Sequence, residues 1–369
     1  MNDLYAIVPA SAIILIIAIR KILAPVKFNE EIFGEIHPDG YKMVKYAVDH
    51  SNTFVCLTTN GTILNEKRIE FLTNFDGSNA CDNVLLGMCA GKSIDEGYSN
   101  IAIGKNAGRN ITTGDKHIAI GHCAMGNGTA TGWGNIAMGM CAGRQLTTGG
   151  YNVIFGEMAG TAMEASSHSV LIGHYAGFSS TDNASCNVFL GYHAGYKNTT
   201  GCYNLYFGKQ AGCTDQTGYR NIYMGQTAGR IQASARKDNV FLGTAAGRYS
   251  TATDRSVFIG CYAGLKNDSG ESNVFIGTKA GEGCSDGSTC ITGDRNISIG
   301  CVSGSFLTSG ADNIFLGACA GNTNTSGSKN IAIGCNVELA SATGSCQFMI
   351  GIGSNKWICG DSSFNIYDK

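Results

Sequence analysis

The chain has 369 residues and a formal net charge of −2, and charged residues make up 15% of it. This balance excludes the basic field that attracts nucleic acid, so no nucleic-acid partner is expected. The 52 glycines stand beside only 3 prolines, which excludes collagen. Because the glycines recur at a fixed period, they also argue against disorder.

The N-terminal region contains an apolar run. Leu4–Ile19 carries no charge, Asp3 precedes it, and Arg20 and Lys21 follow it. Counted as residues 4–23, the run has about the ~20 residues that a helix needs to span a bilayer. We therefore predict a transmembrane helix, with the basic residues keeping the long C-terminal part on the cytosolic side. The alternative is an apolar helix buried in a protein partner or an oligomer.

Residues 25–80, which follow the anchor segment 1–24, lack the regular pattern found later in the chain. Two short apolar stretches, Phe54–Leu57 and Ile63–Leu64, flank Asn60-Gly61, a pair that is typical of hairpin turns. We predict a small β-rich neck over residues 25–80.

Residues 81–353 repeat one short unit, and each copy carries an anchor glycine. The anchors are 17 or 18 residues apart, except for one spacing of 23 between Gly277 and Gly300. A fixed short period indicates a solenoid, in which each repeat supplies one turn. The predicted fold is therefore all-β, a parallel β-solenoid of the β-roll or β-helix type, with about 16 rungs and an N-terminal transmembrane helix. The anchor glycines are Gly87, Gly104, Gly121, Gly139, Gly156, Gly173, Gly191, Gly208, Gly225, Gly243, Gly260, Gly277, Gly300, Gly317, Gly334 and Gly351.

Each repeat has apolar residues three before and one before the anchor, with a variable residue between them. Ile101 and Ile103 are one such pair, and Val274 and Ile276 are another. Apolar residues two apart, many of them β-branched, predict a short β-strand. The glycine that ends the strand suits a bend or a close approach of backbone to backbone.

Four residues before the anchor, asparagine occupies 12 of the 16 copies, and His117, Ser169, Ser256 and Gln347 occupy the others. A polar residue at one corner of every rung predicts a structural ladder of stacked side-chain amides, which would satisfy buried backbone groups. The alternative is that asparagine tolerates a positive φ in the turn. The predicted ladder residues are Asn83, Asn100, Asn135, Asn152, Asn187, Asn204, Asn221, Asn239, Asn273, Asn296, Asn313 and Asn330.

The repeat stops after Gly351. The remaining residues include Trp357, Ile358 and Phe364, which offer apolar bulk. A solenoid needs its last rung covered, so we predict a C-terminal cap over residues 354–369.

The sequence contains no catalytic, cofactor-binding or metal-binding motif, so we predict no enzyme activity, no cofactor and no metal site. The 16 cysteines lie mainly at repeat positions, and no C-x-x-C pair occurs. Gly91-Lys92-Ser93 resembles the end of a phosphate-binding loop, but Leu86 stands where that loop needs its first glycine. His174 and His193 fall near equivalent corners of adjacent rungs, which leaves a metal site there as an alternative.

The repeat resembles units of two known groups of proteins. The unit Asn135–Gly139 is similar to the head repeats of trimeric autotransporter adhesins. The fuller pattern of Asn100–Gly108 with Thr113-Gly114 looks like fibre-like proteins of tailed phages and large algal DNA viruses, and Trp357–Ser363 resembles the tails that follow such repeats. The adhesin heads are homotrimers of parallel β-rolls, so the resemblance implies a trimeric, fibre-like protein.

The expected function follows from the anchor and the resemblance. We expect a membrane-anchored structural virion protein of a large DNA virus, either a minor capsid protein or a fibre-like rod, that links the viral membrane to the capsid or projects from it. Its expected partners are the membrane through residues 4–23, further copies of itself in a homotrimer, and other capsid proteins. Its expected location is the virion, anchored in the viral internal membrane, or alternatively a cell or virion surface. The alternative functions are a surface adhesin or receptor-binding fibre, and a solenoid polysaccharide-degrading enzyme.

Overall fold

The computed structural model describes residues 82–181, 184–231, 236–283, 291–360, 363 and 365–368, all within the unit Gly77–Lys369. The predicted anchor 1–24 and neck 25–80 lie outside the described residues. Within the described ranges, the regular elements are strands. No helix in these ranges is long and apolar enough to cross a membrane.

Eighteen strands follow one another along the described chain. They are β1 Val84–Leu86, β2 Ile101–Ile103, β3 Ile118–Ile120, β4 Ile136–Met138, β5 Val153–Phe155, β6 Val170–Ile172, β7 Val188–Leu190, β8 Leu205–Phe207, β9 Ile222–Met224, β10 Val240–Leu242, β11 Val257–Ile259, β12 Val274–Ile276, β13 Ile297–Ile299, β14 Ile314–Leu316, β15 Ile331–Ile333, β16 Phe348–Ile352, β17 Asn355–Gly360 and β18 Ile366–Asp368.

Strands β1 to β16 stack in chain order as a single parallel sheet. Each residue pairs with its equivalent in the next repeat, as Val84 does with Ile101 and Leu86 with Ile103. The parallel β-solenoid predicted from the glycine period is confirmed. Sixteen stacked strands bound about fifteen turns rather than 16, because the last one ends the parallel stack. At ~4.8 Å per turn the stack is roughly 72 Å long.

The parallel stack ends at β16. Strand β17 pairs with it in the antiparallel direction, and β18 pairs antiparallel with β17. This hairpin occupies the hydrogen-bonding edge on which a further parallel strand would add. Trp357 in β17 is 55% exposed, so its ring adds little burial to the segment predicted as the cap.

Outside the strands, backbone hydrogen bonds join each turn to the next. The Asn106 N–H donates to the Met88 carbonyl at 2.8 Å, and the Gly108 N–H donates to the Ala124 carbonyl at 2.8 Å. Isolated parallel bridges, such as Ile111 with Ala130, continue the pairing away from the sheet. The whole perimeter of a turn is therefore held in register with its neighbours.

The interior of the solenoid is filled in most turns from two positions, the strand centre and the residue seven past the anchor. In the fourth turn a buried Ala137 at the strand centre accompanies a buried Leu146. In the tenth turn a buried Phe241 accompanies a buried Ser250. In these turns a large residue at one position goes with a small one at the other, as close packing of a limited cross-section requires, whereas the fifth turn buries a large residue at both positions.

Aromatic rings at six successive strand centres form a stack inside the solenoid. Neighbouring ring centroids are 4.6 to 5.1 Å apart and the rings are nearly parallel. The rise of the turns sets this spacing, which is close to the favourable separation for offset rings. The stacked residues are Phe189, Tyr206, Tyr223, Phe241, Phe258 and Phe275.

The compensation between the two interior positions predicts the behaviour of an exchanged pair. Ala137→Phe overfills its turn against Leu146 and should lower the free energy of unfolding by about 1–3 kcal/mol. Adding Leu146→Ser should recover part of that loss, because it recreates the pair found at Phe241 and Ser250. Denaturant unfolding of the wild type, both single variants and the double variant measures the coupling. Additive losses would contradict the compensation.

Candidate functional site

The anchor glycines lie where neighbouring turns approach most closely. Fifteen of the sixteen predicted anchors, from Gly87 to Gly334, have φ between +123° and +138°, a region that residues with a side chain rarely adopt. A Cβ added at Gly208 would lie 2.5 Å from the carbonyl oxygen of Gly225. Gly351, the sixteenth, lies within β16. Both the backbone conformation and the space therefore require glycine at the fifteen.

The twelve predicted ladder asparagines are all buried, and each side chain makes the same two kinds of contact. The Asn100 Nδ2 donates to the Gly114 carbonyl of its own turn at 2.9 Å. The Asn100 Oδ1 accepts the His117 N–H of the next turn at 2.8 Å. Each amide thus joins the two sides of one turn and also binds the following turn.

The positive φ at this corner belongs to the residue that precedes the ladder position. Ser99 and Tyr151 have φ of 56° and 59°, and none of the twelve ladder asparagines has a positive φ. Tolerance of a left-handed backbone therefore does not account for asparagine here. Asparagine is found here because its side-chain amide supplies both a donor and an acceptor.

Three of the four residues that replace asparagine in the ladder keep its acceptor for the next turn, and the fourth keeps its donor. The hydroxyls of Ser169 and Ser256 accept the backbone N–H of the next turn at 3.2 and 3.1 Å. His117 uses its Nδ1 to accept the Asn135 N–H at 3.2 Å. Gln347, in the last turn, donates from Nε2 to the Gly344 carbonyl at 2.8 Å.

His117 is a buried titratable group at a point where only its neutral form fits. An Nδ1 that accepts an N–H carries no proton, so protonation would set two N–H groups against each other. Burial lowers the pKa of His117 to about 4, against the raising effects of the Gly132 carbonyl and Asp115. The ladder therefore loses an acceptor if this imidazole becomes charged.

Asp215 is the second buried titratable group of note, and it lies beside the interior ring stack. The Tyr206 hydroxyl donates to its carboxylate Oδ2 at 2.5 Å. Burial raises the pKa of Asp215 to about 7, against the lowering effects of Tyr206 and the Gly218 N–H. Asp215 is fully buried, so its carboxyl group forms part of the core.

The outward side of the sheet forms a continuous apolar face, which we call the outer face. In each strand from β1 to β16 the two residues that flank the central one, as Ile222 and Met224 do in β9, are half-buried or exposed. All thirty-two of these side chains are apolar. The sequence shows this apolar pair in every repeat but not that it points outward.

In the described ranges, no cluster of three or more His, Cys, Asp or Glu side chains is arranged so that it could hold a metal ion. The His174 and His193 rings are 6.3 Å apart and pack with Tyr175 and Tyr192. The cysteines within these ranges are free thiols.

The close approach at the anchors predicts that side chains are not tolerated there. Gly208→Val and Gly225→Val should each lower the free energy of unfolding by about 1–3 kcal/mol, because a β-branched residue is strained at this φ. Gln216→Val is the matched control, since Gln216 is exposed in the intervening turn. Thermal unfolding followed by circular dichroism measures all three. Equal midpoints would show that the anchors need no glycine.

His117 predicts a loss of stability in acid. Its folded pKa of about 4 lies below the ordinary value of 6.5, so its contribution is complete above the ordinary value and is lost as the pH falls toward 4. His117→Asn restores the common ladder residue and should remove a component on the order of 1–3 kcal/mol from the difference between pH 8 and pH 5. Denaturant unfolding at the two pH values measures it. The exposed His122→Asn is the control, and an unchanged pH dependence in His117→Asn would refute the assignment.

Comparison with known proteins identified no relative of the chain. No protein-family model matches the chain, and no curated protein matches it.

Proposed function

We propose that the chain is a structural rod that assembles with further copies of itself through the outer face. The observation that carries this proposal is that all thirty-two outward side chains of β1 to β16 are apolar. An exposed strand face in a soluble monomer alternates with polar residues on the solvent side, and this face has none. Such a surface has the composition of an interface core.

The size of the outer face also supports assembly. A stack roughly 72 Å long and about 10 Å wide offers on the order of 700 Å². Monomers rarely leave a contiguous apolar patch of more than about 300–600 Å² exposed. A standard stable interface buries about 800 Å² on each partner, so burial of the whole outer face comes close to that size.

A second copy of the same chain fits this face because both surfaces have the same rise per turn. Apolar ridges that repeat at one spacing can interlock along the whole length of two identical rods. The resemblance to trimeric adhesin heads favours three copies around one axis. In that arrangement the residues on the two sides of each outer face would contact two different neighbours.

We further propose that the trimer is a minor capsid protein or fibre-like rod of a virion, tethered to the viral internal membrane by residues 4–23. The support for this step is the apolar run Leu4–Ile19 with its flanking charges and the resemblance to fibre-like proteins of phages and algal viruses. The rod would then link membrane and capsid and contact other capsid proteins. A rod on the cell or virion surface remains the alternative location.

Assembly through the outer face predicts that charges placed there separate the copies. Ile222→Lys, Val240→Glu and Val257→Lys lie on three consecutive strands, so opposite charges face each other within one chain and the sheet is preserved. Mass photometry of the full-length protein in detergent should show a trimer for the wild type and smaller species for the triple variant.

The control places the same kinds of charge on the exposed turn residues Thr200 and Gln216. It should keep the wild-type mass, and all proteins should share one circular dichroism spectrum. A triple variant that stays trimeric would show that the outer face is not the interface. A wild type that is monomeric or dimeric would reject the trimer.

A further inference from the structure

A second surface feature lies at the corner that precedes each strand, five or six residues before the anchor. In the middle of the rod this corner carries large exposed rings. Trp133 is 48% exposed, Tyr151 is 59% exposed and Tyr203 is 57% exposed. With His168 and Tyr219 at the same corner, they form what we call the aromatic strip.

The backbone holds the aromatic strip in a fixed line. The Tyr151 N–H donates to the Trp133 carbonyl at 2.8 Å, and the Tyr203 N–H donates to the Ser185 carbonyl at 3.2 Å. The rings of Tyr151 and His168 stack with centroids 5.4 Å apart, and those of Tyr203 and Tyr219 meet edge to face at 5.4 Å. The strip covers five rises of the solenoid, roughly 24 Å.

Most of the aromatic strip is uncharged, whereas most of the later turns carry a charged residue at the same corner. From Trp133 to Tyr203 the ten corner residues are aromatic, Gly, Ser, Cys or His. At the end of the strip the Arg220 guanidinium lies 4.4 Å from the centroid of the Tyr219 ring and pairs with Asp238. Further along this corner, Arg295 pairs with Asp312. Among the described turns, the strongly exposed rings at this corner are confined to the middle of the rod.

Two hydroxyls complete the strip. The Ser167 Oγ accepts the Gly150 N–H at 3.0 Å, and the Ser185 Oγ accepts the Ser167 N–H at 3.0 Å. Each hydroxyl is thereby fixed at the half-buried corner that carries the rings. The strip combines flat apolar surfaces with hydrogen-bonding groups at their edges, which is the combination found where one amphipathic surface meets another.

We propose that the aromatic strip binds a neutral polysaccharide chain that lies along the axis of the rod. The C–H faces of sugar rings stack on aromatic rings, and sugar hydroxyls bond to hydroxyl and imidazole groups. Between Trp133 and Tyr203 the strip carries no positive charge. The Arg220 guanidinium at its end is paired with Asp238, so the strip as a whole disfavours nucleic acid and acidic glycans. A protein partner would find more aliphatic surface on the outer face than on the aromatic strip.

Binding is measured through Trp133, because the chain has only 2 tryptophans. The full-length protein carrying Trp357→Phe leaves Trp133 as the sole indole reporter, and a detergent without a sugar head group avoids competition. The probes are laminarin, yeast mannan, chitohexaose and hydroxyethyl cellulose, with heparin as the anionic comparison. We expect at least one neutral probe to shift the Trp133 emission to the blue in a saturable way. Tyr151→Ala or Tyr203→Ala should then weaken binding about tenfold.

The control is Tyr249→Ala, an exposed tyrosine outside the strip, which should leave the affinity unchanged. The charged outer-face variant should also bind the probe, because the strip does not depend on self-association. A result that rejects the trimer can therefore be told apart from a result that rejects binding at the strip. Binding of none of the neutral probes, a response to heparin alone, or full affinity in Tyr151→Ala would each overturn the proposal.

Discussion

The structure depends on the close stacking of identical backbone positions in successive turns. At the anchors the approach is so close that a Cβ at Gly208 would meet the Gly225 carbonyl oxygen at 2.5 Å. That contact brings every strand within hydrogen-bonding distance of the next and keeps the pairing in register from β1 to β16. Because each turn touches only its neighbours, the stability of the rod is a sum of many similar contacts.

Two features follow from stacking identical turns. A group that is buried in one turn lies next to the equivalent position of the next turn, so from Asn83 onward each ladder asparagine accepts, through its Oδ1, the backbone N–H of the following ladder residue. The interior cross-section is also limited, and in some turns its two main side chains offset each other in size. Ala137 with Leu146 and Phe241 with Ser250 show how a changed strand centre is balanced by a change across the interior. The stacking of one turn on the next thus constrains both the polar ladder and the apolar interior.

The same regularity makes the surfaces functionally informative. An apolar residue on one turn is incidental, but apolar residues on sixteen successive strands make a continuous face that suits another rod. A departure from the repeat that is confined to a few turns indicates a local site instead. The exposed rings from Trp133 to Tyr203 occupy a corner that is charged in most later turns, and they do so over only a few turns. We thus propose assembly through the strands and ligand binding at the corner that precedes them.

The sequence by itself determined the solenoid, because its period, the anchor glycines and the ladder asparagines each recur at a position that only a stacked turn satisfies. It also indicated short strands, since Ile222 and Met224 lie two apart. It did not determine which side of those strands is inside, because Tyr223 between them is apolar enough for either side. Only the closed path of the chain decides this, by placing Tyr223 against Gly229 in the interior. The outer face and the aromatic strip therefore became visible only in the tertiary structure, which brings together side chains that lie 17 or 18 residues apart in the sequence.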